Sequence, residues 1–234
     1  MYKYTIYLYI IIKHINIIKM ITLFLTRHAK STRNYYDEKI NSKGINESIF
    51  RDCAVCPQGI ESIIKNRNQL QSKIGHVEVI MTSPMKRCIQ TSLATYETKP
   101  YQIPRIHVLP LLTEFGNRYD SMGRSMNEIC MDPDIFEYKY FSALEFERFF
   151  SEGMSNNMDV MTNLSWTHVN FLLDDSRITK FIHVLKKNFI GKRIHAFTHH
   201  GFIKRLIGYD ADNYQTICVM MDTQREVLSW KLVM

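Results

Sequence analysis

The stretch LFLTRHAKSTRN, residues 23–34, decides the fold of this chain. It continues an apolar run that begins at Ile21 and is typical of a buried parallel strand. The run ends on Arg27 and His28, which are followed by small and polar residues. In open α/β sheets, ligands bind in the crevice outside the carboxyl ends of the strands. The stretch therefore predicts a strand that delivers a basic pair to a ligand site.

A second strand-to-helix junction carries another arginine. The segment HVEVIMTSP, residues 76–84, predicts a strand. Ser83 as the N-cap and Pro84 at the first helical position then predict a helix that starts at this point. That helix carries Arg87 in its first turn, so we expect the Arg87 guanidinium near the same crevice.

A third junction carries a pair of histidines. The segment RIHAFT, residues 193–198, predicts a strand that His199 and His200 follow directly. Strand alternation groups His195 with His199 and separates both from His200. We therefore expect His195 and His199 in packing or at the surface. Arginine matches phosphate oxygens and a strand-end imidazole can attack phosphorus, so the three junctions together indicate phosphate chemistry.

Strands and helices alternate along most of the remaining chain. Apolar spacing predicts a helix over 57–73, and further helices are predicted over 181–189 and 201–209. This alternation indicates an α/β fold, a three-layer sandwich whose mainly parallel central sheet is flanked by helices. Residues 115–175 are rich in Met, Phe, Asn and acids and do not alternate in this way. We expect an inserted helical or lid segment there.

Residues 1–19 differ from the rest of the sequence. Their Ile- and Tyr-rich run is broken at Lys13 and is shorter than the ~20 residues that a membrane span requires. No small-x-small cleavage site precedes Met20. We expect residues 1–19 to be a dispensable extension of a single domain that comprises residues 20–234.

The composition and net charge of the chain limit the kinds of binding partner that we expect. The 234 residues are 45% hydrophobic, which is enough for a sizeable core. Of the net charge of +7, the extension supplies three charges, so the charge indicates anionic partners only mildly and is not typical of nucleic-acid binding. Five scattered cysteines fit a reduced, cytoplasmic chain. We expect no nucleic-acid partner and no membrane span, and the oligomeric state stays open.

Five segments resemble, in order, the motifs of the histidine phosphatase superfamily, which has the phosphoglycerate mutase-like fold. LTRHAKSTRN (25–34) resembles its Arg-His-Gly signature, and SPMKRCIQTS (83–92) resembles its SPLxRAxQTA segment. The other three are CPQGIES (56–62), LLTEFGNRYDSMGRSMNEI (111–129) and FTHHGFIKRL (197–206), the last of which resembles VSHGGxIRxL. Each segment alone is a weak signal, but the ordered set is specific.

The resemblance implies a role for each matching residue. His28 is the implied nucleophile, which is transiently phosphorylated, and Glu114 is the implied proton donor to the leaving oxygen. A carboxyl group beside a phosphate dianion should have a raised pKa, which suits an acid near neutral pH. The residues implied to contact the phosphoryl group or the rest of the substrate are Arg27, Asn34, Arg87 and His200. The resemblance implies no cofactor.

The resulting prediction is a metal-independent phosphomonoester hydrolase that acts on a phosphorylated small molecule or a phosphoprotein. Two alternatives stay open: a phosphoglycerate mutase or sugar-bisphosphate phosphatase, and a catalytically silent module that binds phosphorylated partners. Lys30 stands where the family has an acid, and the residue after Glu114 is not the arginine of the mutases. Both differences favour hydrolysis over isomerisation.

Two further patterns are set aside. The histidines at 195, 199 and 200 suggest a metal site, but no Asp or Glu at ligand spacing accompanies them. Cys53 and Cys56 have thioredoxin-type spacing without a second cysteine pair or the expected βαβ context. We expect that neither the three histidines nor the cysteine pair binds a metal or acts in redox chemistry.

Overall fold

A computed structural model describes residues 20–39, 46–98, 103–145, 172–222 and 229–234. Its strands are β1 (Ile21–Arg27), β2 (Val79–Thr82), β3 (Ile106–Val108), β4 (Leu144–Glu145), β5 (Arg193–Thr198), β6 (Thr216–Met221) and β7 (Ser229–Leu232). Its helices are α1 (Thr32–Lys39), α2 (Pro57–Ile74), α3 (Lys86–Tyr96), α4 (Met126–Cys130), α5 (Pro133–Phe136), α6 (Ser176–Asn188) and α7 (His200–Ile207). The predicted extension, residues 1–19, lies outside this part of the chain.

The seven strands form one open sheet in the order β4-β3-β2-β5-β1-β6-β7. The five strands from β4 to β1 run parallel, whereas β6 is antiparallel to β1 and β7 is antiparallel to β6. The predicted mainly parallel sheet is thus confirmed. Because β2, β5 and β1 are neighbours, their carboxyl ends meet at one edge of the sheet, which brings the three predicted junctions together.

Alternation along β1 explains why helices cover both faces of the sheet. Ile21, Leu23 and Leu25 point into one fully buried cluster, and Phe24 points into another. The first cluster includes side chains of α6 and α7, and the second includes side chains of α2 and α3. These two cores on opposite faces make the predicted three-layer sandwich, in which the sheet is the middle layer.

Helix α2 packs unusually close to the loop that follows β1. It begins at Pro57, as predicted, with Cys56 as its N-cap. A Cβ on Gly59 would lie 2.3 Å from the carbonyl oxygen of Lys30, a distance at which no side chain fits. Glycine at this position therefore allows the loop carrying His28 to rest directly on the first turn of α2.

Helix α3 begins at Lys86, later than the predicted start at Ser83 and Pro84. Its N-cap is Met85, which has no side chain able to cap. The Ser83 hydroxyl lies 2.9 Å from His199 Nε2 and accepts from the Met85 N–H at 3.3 Å, and the backbone N–H of Lys86 donates to Asp52 Oδ1 at 2.7 Å. A carboxylate from a distant loop thus takes the place of a local cap.

The segment predicted as an insertion is only partly described. Its described part contains a 3₁₀ turn at Tyr119–Ser121, the short helices α4 and α5, and the edge strand β4. Helical structure is present, and the segment also supplies a strand to the sheet. Its predicted role as a lid is not tested, and residues 146–171 lie outside the described chain. Among the helices described, none has the length and apolar character needed to cross a bilayer.

Candidate active site

The three junctions converge at the carboxyl edge of β1, β2 and β5. His28 follows β1 and is buried, with 3% of its surface exposed. Its ring centroid lies 5.2 Å from that of His199, which follows β5. Arg87, in the first turn of α3, is 2% exposed and donates to His199. The structure therefore places two imidazoles and a guanidinium in one buried cluster.

The His28 ring is held in one orientation and one tautomer. Its Nδ1 lies 2.7 Å from the carbonyl oxygen of Ala29. A carbonyl can only accept, so Nδ1 carries the hydrogen and Nε2 of the neutral ring carries the free lone pair. Burial lowers the pKa of His28 well below its ordinary value, and the charges of Arg87 and Arg27 lower it further. His28 thus has the neutral, oriented imidazole that a nucleophile requires.

Arg27 and Arg87 both supply positive charge that acts on His28. Arg27 Nη1 donates to Ala211 O at 2.8 Å, while its buried Nε has no hydrogen-bond partner within the described chain. Arg87 Nη1 donates to Asp120 O at 2.8 Å. A buried donor without an acceptor is costly. The Nε of Arg27 is therefore suited to an anionic ligand that would take up its hydrogen bond.

His199, and not His200, joins this cluster. Arg87 Nη2 donates to His199 Nδ1 at 3.1 Å, and His199 Nε2 lies 2.9 Å from Ser83 Oγ. Burial lowers the pKa of His199 well below its ordinary value. His200 is half-exposed and its Nε2 lies 3.1 Å from Asp210 Oδ1.

This arrangement differs from the predicted one, because His199, which was expected in packing, lies beside His28 and Arg87, while His200 faces Asp210. Strand alternation was the wrong guide, because β5 ends at Thr198 and His199 is already the extended N-cap of α7. The motif spacing is the signal that points to His199. In VSHGG the histidine directly follows the hydroxyl residue, and here His199 follows Thr198.

Glu114 reaches the cluster from the loop after β3. Its Oε1 accepts from the backbone N–H of Phe115 and from that of Gly201, both at 2.9 Å. Burial raises the pKa of Glu114, and the charge of Arg87 is the largest opposing effect. Because Oε1 takes both amide donors, Oε2 is the oxygen that can carry and transfer a proton.

Gly201 makes this approach of Glu114 possible. A Cβ at position 201 would lie 2.5 Å from Glu114 Oε1. Any larger residue would therefore displace the carboxyl group from the first turn of α7. The small residue in the motif FTHHG thus has a specific physical role.

Asn34 and Lys30 lie on the loop and helix that follow β1. Asn34 Oδ1 accepts from the backbone and the hydroxyl of Ser31 and from Asn213 Nδ2, at 3.0–3.2 Å. Its amide nitrogen is left for other acceptors. Lys30 forms an ion pair with Glu38, so its charge is offset. The positive charge of Lys30, which stands where the family has an acid, is therefore partly balanced by a local acid.

Asp52 is a buried residue of the site region that the sequence does not reveal. Its Oδ1 caps α3 one residue before Arg87, and its Oδ2 accepts from Arg124 Nε at 2.7 Å. Its backbone has a φ of 44°, a left-handed conformation that is uncommon outside glycine. Asp52 thus connects the start of α3 to the loop that precedes α4. No local pattern marks it, because both partners are distant in sequence.

The three histidines that suggested a metal site face different partners. His195 lies 2.7 Å from both Thr26 Oγ1 and Tyr96 OH, inside the core. His199 faces Ser83 and Arg87, and His200 faces Asp210. Within the described ranges, no group of three or more His, Cys, Asp or Glu side chains is arranged to hold a metal ion. Cys53 and Cys56 are both buried free thiols.

Comparison with known proteins gives matches at the level of structure only. No protein-family model and no curated protein sequence matches the chain. A candidate alpha-ribazole-5'-P phosphatase from Escherichia coli K-12 is similar in structure, with a TM-score of 0.53 and 16% identity over 91% of this chain and 95% of that one.

Two further solved structures are similar to the same extent. The ecdysone phosphate phosphatase from Bombix mori, in complex with tungstate, has a TM-score of 0.52 and 12% identity, over 89% of this chain and 92% of that one. The phosphoglycerate mutase from Bacillus anthracis has a TM-score of 0.52 and 14% identity, over 91% of each chain. The fold that the sequence motifs imply is thereby confirmed: this chain has the phosphoglycerate mutase-like fold of the histidine phosphatase superfamily.

Proposed function

We propose that this protein is a phosphomonoester hydrolase that acts through a phosphohistidine intermediate on His28. The observation that carries the proposal is the orientation of His28, whose Nδ1–H is fixed on Ala29 O while its Nε2 lone pair stays free. Arg27 and Arg87 lie near enough to act on its pKa. A neutral imidazole between two guanidinium groups is suited to attack a phosphorus atom whose oxygens carry negative charge.

In the first step, His28 Nε2 forms a bond to phosphorus and the bond from phosphorus to the leaving oxygen breaks. Glu114 Oε2 gives its proton to that oxygen, so the alcohol leaves neutral. In the second step a water molecule attacks the phosphorus, the bond to Nε2 breaks, and the Glu114 carboxylate takes up a proton from the water. Inorganic phosphate leaves, and both residues return to their starting states.

Arg27, Arg87 and His199 are the groups assigned to the phosphoryl oxygens, and Asn34 is assigned a further substrate contact. His199 takes the role that was expected for His200 in the sequence analysis, because its ring lies against His28 and Arg87. The two arginines supply the positive charge for the transferring group through side chains, so the reaction is proposed to need no metal ion.

The structural relatives support this assignment only through their fold and their names. Two of the three are described as phosphatases, and one of those holds tungstate. The third is described as a phosphoglycerate mutase, which keeps isomerisation as the alternative. The identity between the chains is too low to transfer a substrate.

Trapping the phosphoryl group tests the proposal. Labelled phosphomonoester, quenched without acid, should leave label on His28, and His28→Ala should abolish turnover of p-nitrophenyl phosphate. His200→Ala is the matched control and should keep most of the activity, while His199→Ala should lose most of it. A chelator should leave the rate unchanged. Label on a Ser or Cys, or full turnover by His28→Ala, would rule out this mechanism.

The products that the purified protein forms distinguish a hydrolase from a mutase and from a catalytically silent binding module. We expect free phosphate as the product when 3-phosphoglycerate is supplied with a trace of 2,3-bisphosphoglycerate. Efficient formation of 2-phosphoglycerate with little phosphate released would support the mutase. Failure to turn over any monoester, with vanadate still bound, would support the silent module. A screen of phosphorylated metabolites, peptides and nucleotides would then identify the substrate class.

A further inference from the structure

Arg177 is the largest side chain with no exposed surface among the described residues, and its position is energetically unfavourable by itself. It lies in the first turn of α6, where the helix dipole disfavours a cation. Burial lowers its pKa to about 10, so it stays charged at neutral pH. A buried charge at this place needs compensating contacts.

The compensating contacts are concentrated on the loop that carries Glu114. Arg177 Nη1 donates to Thr113 O at 3.0 Å and to Thr113 Oγ1 at 2.7 Å, and Nη2 donates to Glu114 O at 3.3 Å. Nη2 also donates to Leu172 O at 3.1 Å, beside the start of α6. The guanidinium lies 3.8 Å from the centroid of the Phe115 ring.

These contacts fix the backbone on both sides of Glu114. The Thr113 carbonyl belongs to the peptide plane before Glu114, and the Glu114 carbonyl belongs to the plane after it. With both planes held, the direction of the Cα–Cβ bond of Glu114 is set. The second plane also carries the Phe115 N–H that donates to Glu114 Oε1. One guanidinium thus controls where the carboxyl group points.

We propose that Arg177 is a positioning residue for Glu114, which holds the acid at the place where the leaving oxygen receives its proton. The inference rests on the proposed function of Glu114. Arg177 contacts the Glu114 loop through the backbone of Thr113 and Glu114, the Thr113 hydroxyl and the Phe115 ring, and its charge is attracted to that of Glu114. Its removal should therefore impair proton donation and leave the transfer to His28 otherwise intact.

The leaving group distinguishes this role from a merely structural one. An alkoxide such as that of glycerol needs a proton to depart, whereas p-nitrophenolate leaves without one. We would measure kcat/KM, which reports the transfer to His28, for glycerol 2-phosphate and for p-nitrophenyl phosphate. Arg177→Lys keeps the charge but cannot serve Thr113 O, Glu114 O and Leu172 O together, because lysine lacks the planar fork.

We expect Arg177→Lys to lower kcat/KM for glycerol 2-phosphate by ~10- to 100-fold, since misplacing a reacting group by about 1 Å can cost 10²-fold. The kcat/KM for p-nitrophenyl phosphate should change by less than about threefold, because p-nitrophenolate leaves without a proton and does not depend on the placement of the acid. Arg193→Lys is the matched control. Arg193 also donates to backbone carbonyls, those of Ile74 and His76, but lies at the other end of β5, and its change should affect neither substrate.

Thr113→Val provides the second arm in case Arg177→Lys does not fold. It removes the hydroxyl that accepts from Arg177 and should give a smaller loss of the same selectivity for glycerol 2-phosphate. Equal losses on both substrates in the folded variants, while Glu114→Gln is selective, would overturn the role of Arg177. Equal losses in Glu114→Gln itself would instead overturn the proposed function of Glu114.

Discussion

Two glycines at the site have Cβ positions that other atoms already occupy, but the atoms differ in kind. At Gly201 the occupying atom is the end of the Glu114 side chain, at 2.5 Å. At Gly59 it is the Lys30 backbone oxygen, at 2.3 Å. A side-chain end can move at little cost, whereas a packed loop cannot. The same substitution should therefore disturb catalysis at one glycine and stability at the other.

We predict that Gly201→Ala displaces the Glu114 carboxyl and lowers kcat/KM on glycerol 2-phosphate by ~10²-fold, the lower range for loss of a general acid. Its free energy of unfolding should stay close to the unmodified value. Gly59→Ala is the contrast and should lower that free energy by about 1–3 kcal/mol through overpacking. Urea unfolding and kinetics on both variants check the prediction. Unchanged kinetics in Gly201→Ala would show that Glu114 does not act from this position.

At the scale of the elements, the start of α3 depends on a residue outside the helix. Met85 cannot cap it, so the Asp52 carboxylate accepts the Lys86 N–H and pairs with Arg124. Burial raises the pKa of Asp52, and Arg124 is the largest opposing effect. Since Arg87 lies in this first turn, the position of the guanidinium follows from the cap.

We predict that Asp52→Asn lowers the free energy of unfolding by about 3 kcal/mol, because Arg124 loses a buried partner. Binding of vanadate should weaken as well, since the first turn of α3 is no longer fixed. Asp134→Asn is the matched control, because Asp134 also pairs with Lys86 but is exposed, and it should cost less than about 1 kcal/mol. Denaturant unfolding and vanadate titration measure both effects. Equal losses in the two variants would contradict the role of Asp52.

The elements themselves could be predicted from the sequence wherever local patterns decide them. The apolar run before Arg27 and the helical spacing after Pro57 gave β1 and α2 within a residue or two. The start of α3 could not be predicted, because its cap comes from Asp52, more than thirty residues earlier. The place of His199 beside His28 could not be predicted from alternation, which ends where β5 ends. Arg177 carries no local signal, since all its importance lies in contacts with a distant loop.

At the scale of the whole molecule, a buried polar chain runs through the core below the site. His195 lies between Thr26 Oγ1 and Tyr96 OH, and Thr26 Oγ1 also lies 2.6 Å from Thr216 Oγ1. The chain links the neighbouring strands β5, β1 and β6 to α3. Burial lowers the pKa of His195 to about 3, so the folded protein keeps this imidazole neutral.

We predict that His195 makes stability depend on pH between about 6.5 and 3. In the unfolded chain the pKa of His195 is about 6.5. Below this pH the unfolded chain binds a proton at His195 and the folded chain does not, so the free energy of unfolding falls as pH falls. At pH 5 this loss amounts to about 2 kcal/mol. His195→Gln should have a shallower pH dependence than the unmodified protein. Parallel slopes from urea unfolding between pH 7 and 5 would show that His195 is charged in the folded state.

The burial of His28, His199 and Glu114 has a consequence for which phosphoesters the pocket accepts. Burial lowers the pKa of both imidazoles and raises the pKa of Glu114, so it favours the uncharged form of all three groups, beside which Arg27 and Arg87 supply positive charge. A monoester dianion balances the charge of both arginines, whereas a phosphodiester carries one negative charge and leaves one cation unbalanced in a poorly solvated space. Under the proposed function, we therefore expect phosphodiesters to bind more weakly than phosphomonoesters of similar shape.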